Sequence, residues 1–407
     1  MSQTLTRTIH RYYTFNFLRD LFFLSAVLVP FFTEWGGITL FQMQLLQSWF
    51  MFWVFVLEIP TGAVADYLGR KYSLSLGALA SMAGALLYGS IARFDMFLVS
   101  EFLFALGMAL TSGADHAFIY DALKDHGEES KALDIFGKAH AWKLTGIFIS
   151  APLGGLLAAW GGLNIPMLFT AFPLCLASLT ALSFHEPRTH QETQESARYL
   201  KVIAQGFAFF AQHRILKLLA LDVIMVASAG YFVIWYYQPL LQRAHVPIAY
   251  FGIVHMILTS AEILIMRYAS SLLTLFRHER QFYLWSSLLV AIPFALVALV
   301  PSLPTILLFI VCAGGFGLTR SEFVASFMNR FIPSDQRATV ISSISMFRRF
   351  ALVILNPAIG LLATHSLNAA LLVVSALPLS LFFFSPLLKQ KSINSSLQNV
   401  PSGTVKL

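Results

Sequence analysis

Glu58, Gly62 and Asp66 recur at intervals of four, which places them on one face of a helix, and Arg70 and Lys71 follow at once. Acids and bases this close can form ion pairs, and at a membrane edge such a pair can matter by a few kcal/mol. Elsewhere single ionisable groups interrupt long apolar runs: Asp20 with Asn16 one turn before it, Glu101 and Asp115 with Ser112 between them, Asp222, Glu262, Arg320 with Glu322, and Arg348 with Arg349. A charge in such surroundings is costly, and a functional role is the default expectation. A carboxylate such as Asp20 or Asp222, desolvated there, could carry a proton; the alternative is that each caps a local polar contact. Arg320 and Glu322 are two apart and cannot share a helix face. Arg320 is expected to turn inward, as counter-ion to a carboxylate or to an anionic substrate. One of Arg348 and Arg349, taken as Arg348, turns inward as well. Glu58 is grouped with the Asp66, Arg70 and Lys71 charges, and Glu101, Ser112 and Asp115 lie on roughly one face.

These residues are embedded in 407 residues of which 57% are hydrophobic and only 12% charged, with 38 Phe. Soluble domains carry about a quarter charged residues, so much of this chain faces lipid. Apolar runs long enough to span a bilayer recur twelve times, at 11–32, 40–64, 72–92, 96–121, 137–159, 164–184, 214–238, 247–272, 281–300, 303–328, 338–363 and 366–388. The fold class is an all-α polytopic membrane protein. No small-residue cleavage site follows the first run, which reads as a retained helix and not a signal peptide. The net charge of +7 lies in the short connections, not in a patch suited to nucleic acid. With the N-terminus inside, the inner loops hold cations from Arg70 and Lys71 to Arg330 and Lys391, and the outer turns only Arg93 and Arg243. That asymmetry puts both termini in the cytoplasm. The outer turns lack a glycosylation acceptor, which suits a bacterial inner membrane. The aromatics "YFVIWYYQ" (231–238) are expected to form an interfacial belt. His140 and His255 are expected to be hydrogen-bonded structural histidines.

The chain also repeats itself. "ISAPLGGLLA" (149–158) returns as "ILNPAIGLLA" (354–363), an offset of 205 that sets Pro152 over Pro357 and Gly155 over Gly360. At nearly the same offset Asp20 falls over Asp222, Glu58 over Glu262, and Asp121 near Asn329. Two six-helix pseudo-repeats of the same orientation follow: residues 1–184, a polar cytoplasmic linker 185–213, residues 214–391, and a polar tail 392–407 expected to be disordered.

"GAVADYLGRK" resembles the loop between helices two and three of the major facilitator superfamily, with Gly62, Asp66, Gly69, Arg70 and Lys71 matching and Tyr67 standing where a base is common. "SGADHAFIYDALK" (112–124) and "IPSDQRATVISS" (332–343) are similar to stretches in a branch of bacterial exporters. The resemblance covers nearly the whole chain. It implies that the loop's charges pair with Asp121 at the end of helix four, closing the cytoplasmic side, and that helices one, four, seven and ten line a central cavity. The other reading of Arg70 and Lys71 is that they are topology anchors. From the residues themselves, a link of about seven residues must join spans two and three, and Gly62 is expected to let a neighbouring helix approach closely.

There is no P-loop, no H-E-x-x-H, no G-x-S-x-G and no Cys/His cluster; Cys175 and Cys312 both lie in apolar runs. The expectation is therefore a protein that is not an enzyme, without cofactor or metal, whose partners are a small-molecule substrate, protons and the lipid bilayer, and which works as a monomer. The resemblance and the Phe-rich composition imply secondary transport by alternating access. Proton-coupled efflux of an amphipathic or drug-like compound is the leading form, and import of a nutrient, siderophore or organic anion the near alternative. A non-transporting sensor or scaffold on the same fold is the second alternative.

Overall fold

In apolar surroundings a backbone must satisfy its own N–H and C=O groups, and the uninterrupted helix does so locally. The computed structural model describes residues 3–186, 214–276, 279–328 and 337–384, and among them helices account for every regular element. The linker beyond Glu186, the tail, Asn329 and the side chain of Asp66 lie outside the described residues. Twelve helices follow in order: α1 Gln3–Trp35, α2 Leu40–Leu68, α3 Arg70–Ser90, α4 Phe94–Lys124, α5 Ala132–Gly161, α6 Ile165–Leu182, α7 Lys217–Arg243, α8 Ile248–Arg267, α9 Glu279–Leu299, α10 Leu303–Phe327, α11 Arg337–His365 and α12 Leu367–Phe384. Eleven are long and apolar enough to cross a membrane, and the twelfth is a shorter apolar helix.

Several boundaries differ from the sequence reading. The link between α2 and α3 is one residue, not seven. Gly69, at φ +101°, turns the chain between Leu68 and Arg70, a conformation that costs glycine little. Gly62 does not seat a neighbouring helix, because a Cβ there would meet nothing within 4 Å among the described residues. The aromatic stretch 231–238 is no interfacial belt. Phe232, Trp235, Tyr236, Tyr237 and Gln238 are all buried against protein.

Two compact units organise the helices. The first takes in the described residues of 1–199 together with Trp235–Ser260 and Leu352–Ser366; the second takes in those of 200–234, 261–351 and 367–407. The units thus cut across the six-and-six division of the sequence. Within the first unit the reason is close packing of repeat-related positions. A Cβ on Gly155 of α5 would press on the Ala249 carbonyl, and one on Gly360 of α11 would press on the Gln44 side chain of α2. Gln44 and Ala249 are themselves 205 positions apart, so the duplication is preserved as a pair of matching contacts. Pro152 and Pro357 lie within α5 and α11 at corresponding places.

The first helix is broken, and its sequence explains how. Pro30 has no N–H and crowds the turn before it, and Val27 leaves helical geometry at φ −131°, ψ 29°. The Ser25 carbonyl and the Val29 amide, which would bond each other in a regular helix, are pulled apart. The Gln238 side chain of α7 replaces that bond: Oε1 accepts from Val29 N at 2.8 Å, and Nε2 donates to Ser25 O at 2.9 Å. Nε2 also donates to Tyr237 Oη at 2.8 Å, and that hydroxyl meets His255 Nδ1 of α8 at 2.9 Å. A buried amide therefore mends the break in α1 and ties it to two further helices. Replacing Gln238 by Leu leaves two buried backbone groups unmet, at about 1–3 kcal/mol each. We expect a clear drop in thermal unfolding temperature in detergent for Gln238→Leu, and an unchanged transition would show that the clip adds nothing.

Candidate functional site

Among the described residues, four further polar clusters, buried or partly buried, interrupt the apolar packing. The first surrounds the Gly69 turn. The Arg70 guanidinium donates to the Asp121 carboxylate and to the Ala117 carbonyl, joining the start of α3 to the last turns of α4. The Glu186 carboxylate, just past α6, accepts from the backbone amides of Arg70 at 2.6 Å and Lys71 at 3.1 Å. These amides begin α3 and have no partner inside their own helix, and an anion there also meets the positive end of the helix dipole. The Lys71 ammonium lies 4.9 Å from the Tyr72 ring centroid. Glu58 is half-buried on α2. Glu186 had no place in the sequence reading because it falls in the linker. The clue was its position as the acid nearest the end of the sixth apolar run.

The second cluster lies in the first unit. Arg19, which ends the first helical stretch of α1, reaches Asp20 at 3.2 Å, Asp115 of α4 at 3.4 Å and the Asn16 amide oxygen at 3.3 Å. Lys143 of α5 lies 3.5 Å from the same Asp115 oxygen, Oδ2. The other oxygen, Oδ1, is buried without a hydrogen-bond partner among the described residues. Arg19 and Lys143 were not among the candidates read from the sequence, because nothing in the local pattern links either to Asp115, 96 and 28 positions away.

The third cluster lies in the second unit. Arg320 of α10 is 1% exposed. It grips Asp222 of α7 with two bonds of 2.7 Å and donates to Ser286 Oγ at 2.5 Å, Ser287 Oγ at 3.2 Å and the Tyr283 carbonyl at 2.9 Å, all on α9. Its guanidinium carbon stands 4.7 Å from the Tyr283 ring centroid. Asp222 is thus held by Arg320 inside its own unit, while Asp20 shares Arg19 with Asp115. Arg320 and Asp115 are 205 positions apart, the repeat offset. The duplicated site has exchanged its charges: base on α1 and acid on α4 in one half, acid on α7 and base on α10 in the other. Glu262 and Arg348 are half-buried in the second unit, and Glu322 is exposed.

The fourth cluster is Glu101. It lies 14 residues before Asp115, about 21 Å along α4, and so shares no cluster with it. Its Oε1 accepts from Gln47 Nε2 of α2 and from Tyr88 Oη of α3, both at 2.8 Å. These three side chains border a cavity of about 210 Å³ whose other walls include Phe22, Phe32 and Phe104.

Twelve apolar helices among the described residues, with a duplication that shows in sequence and in contacts and with acids and bases held between helices of each unit, mark a polytopic membrane transporter. The chain belongs to the Major Facilitator Superfamily, whose sequence pattern matches residues 14–356. It superposes on the nucleoside transporter NupG with a TM-score of 0.79 at 14% identity, covering 94% of this chain and 99% of that one. It superposes on a bacterial homologue of the human lysosomal transporter Spinster, inward-facing and unoccupied, with a TM-score of 0.73 at 17% identity, covering 97% and 99%. A stretch of 115 residues is 33% identical to the L-fucose-proton symporter of Escherichia coli (strain K12). That match covers 26% of this chain and spans about a quarter of the relative's length.

The Asp222–Arg320 pair makes a sharp energetic prediction. Removing one partner strands a buried charge at a cost of about 3–5 kcal/mol, whereas removing both for apolar groups of similar size is far milder. Thermal unfolding should therefore show Arg320→Met and Asp222→Leu each strongly destabilised and the double variant largely restored. Additive losses in the double variant would rule out a mutual pair.

Proposed function

We propose that this protein is a proton-coupled secondary transporter that exports a small amphipathic compound by alternating access from a bacterial inner membrane, both termini lying in the cytoplasm. The observation that carries the reading is the cavity of about 210 Å³ walled by aromatic and aliphatic side chains, with its polar character confined to Glu101, Gln47 and Tyr88. Such a lining suits a compound with a flat apolar part and one or two polar groups. An acid enclosed there is a natural place to exchange a proton for substrate. The export direction rests on the resemblance of 112–124 and 332–343 to exporter sequences. Arg70, Asp121 and Glu186 are read as a latch that holds one mouth shut, in which Gly62, Asp66, Gly69 and Lys71 shape the turn. Asp20, Asp115 and Arg19 are read as part of the coupling machinery, since their charges are shared loosely. The six-and-six halves, 1–184 and 214–391, are read as the bodies that rock.

A second reading is import of a nucleoside- or sugar-like nutrient with protons. It is favoured by the fold likeness to a nucleoside transporter and the partial match to a fucose-proton symporter. Reconstitution in liposomes with imposed pH gradients of either sign separates the two. We expect amphipathic dyes to move against an opposing proton flow, with uridine and L-fucose unmoved. Uridine or fucose movement along with protons would establish the second reading, and no pH-driven flux of any compound would overturn both. For the latch, Asp121→Asn should shift the distribution of spin-label distances between the α2–α3 turn and the last turn of α10. An unchanged distribution would remove the latch role.

A further inference from the structure

Glu101 is 6% exposed, and both of its hydrogen bonds fall on one oxygen. Among the described residues no cation reaches it and no donor reaches Oε2. That sets it apart from Asp222, Asp115 and Asp121. Asp222 has Arg320, Asp115 has Arg19 and Lys143, and Asp121 has Arg70. Charged groups buried in proteins are paired, and an unpaired carboxylate has to be neutralised by something else. What Glu101 does have is an adjoining cavity in which it is the one charged wall residue. Five of the other walls are Phe22, Phe32, Phe50, Phe104 and Trp235. An acid at the end of an aromatic-lined space is the chemistry that selects an organic cation, because aromatic faces attract a desolvated ammonium and the carboxylate neutralises it.

We propose that the cavity is a binding site for a small hydrophobic monocation, an aromatic ammonium, with Glu101 as its counter-ion. The inference deepens the transport reading above and rests on it for direction only. Gln47 and Tyr88 hold Oε1 and fix the carboxyl rotamer, so that Oε2 is the oxygen left for the cation. Tyr88 is the one other titratable side chain bordering the cavity, and it faces Glu101 as a donor. When the site is empty a proton neutralises Glu101, and when the cation enters that proton leaves. Substrate and proton then alternate on one carboxyl group, and their exchange is electroneutral.

The probes are benzyltrimethylammonium and neopentylbenzene, which share one shape and differ in charge. Binding to the purified full chain is read by displacement of a fluorescent amphipath. The cation should bind roughly tenfold more tightly than its neutral isostere, as expected for a desolvated charge with an acid and aromatic partners. In Glu101→Gln the preference should fall below about twofold while neopentylbenzene affinity holds, which also reports that the variant is folded; Glu101→Asp should recover part of it. Equal binding of the two probes to the unaltered protein overturns the inference without reliance on any variant, and so does a preference that survives in Glu101→Gln. Proton-driven flux of neutral amphipaths without charge preference would sink this proposal and leave the transport reading standing. Charge-selective binding without flux would do the reverse.

Discussion

Dehydrating the Arg320 guanidinium is the constraint around which the second unit is arranged. At 1% exposure the group has given up its water and must find every partner in protein. Two bonds to Asp222, two serine hydroxyls, a carbonyl and an aromatic face supply them, and they come from two other helices, α7 and α9. That requirement fixes the relative rotation of α7, α9 and α10 more sharply than the apolar side chains around them can, because apolar contacts are non-directional. The same rule works in the first unit through neutral groups. Pro30 breaks α1, the broken turn exposes an amide and a carbonyl, and the Gln238 side chain meets both in the gap.

The two halves meet that rule in different ways at related positions. On α7 and α10 the acid and base form a closed pair in which all three guanidinium nitrogens donate. On α1 and α4 the base is Arg19, the acid is Asp115, and Asp20 and Lys143 divide the charge among four groups at 3.2–3.5 Å. A closed pair resists rearrangement, since moving either partner strands a charge in a dry site. A loosely shared set has several arrangements of similar energy. The duplicated architecture thus carries a tightly paired element in one repeat and a loosely shared one in the other.

Glycine and proline mark where backbones must meet or turn. Gly69 reverses the chain in one residue and Glu186 caps the helix that follows, so the α2–α3 turn is held by a residue more than a hundred positions away. Gly155 and Gly360 let helices come close enough for backbone contact, at positions that the internal repeat relates.

Much of this was legible in the order of residues. Apolar run length dictated a dozen helices because each must cross about 30 Å of hydrocarbon. The 205-residue offset dictated duplication, and isolated charges in apolar runs marked Asp115, Asp222, Glu101 and Arg320 as positions that matter. Which partner each would take was beyond the sequence. Asp222 and Arg320 are 98 positions apart, Arg19 and Asp115 96, and Gln238 and Val29 209. Helical periodicity relates residues three and four apart, whereas these distances are closed only by packing one helix against another. The short buried aromatic run at 231–238 was misplaced for the same reason: a Trp at a lipid surface and a Trp inside a bundle have the same local sequence. The sequence by itself determined the helices, the repeat and the identity of the costly groups. Only the tertiary structure decided which of those groups neutralise one another and that Glu101 is left facing a cavity, because pairing depends on helix rotation and proximity, which no local pattern encodes.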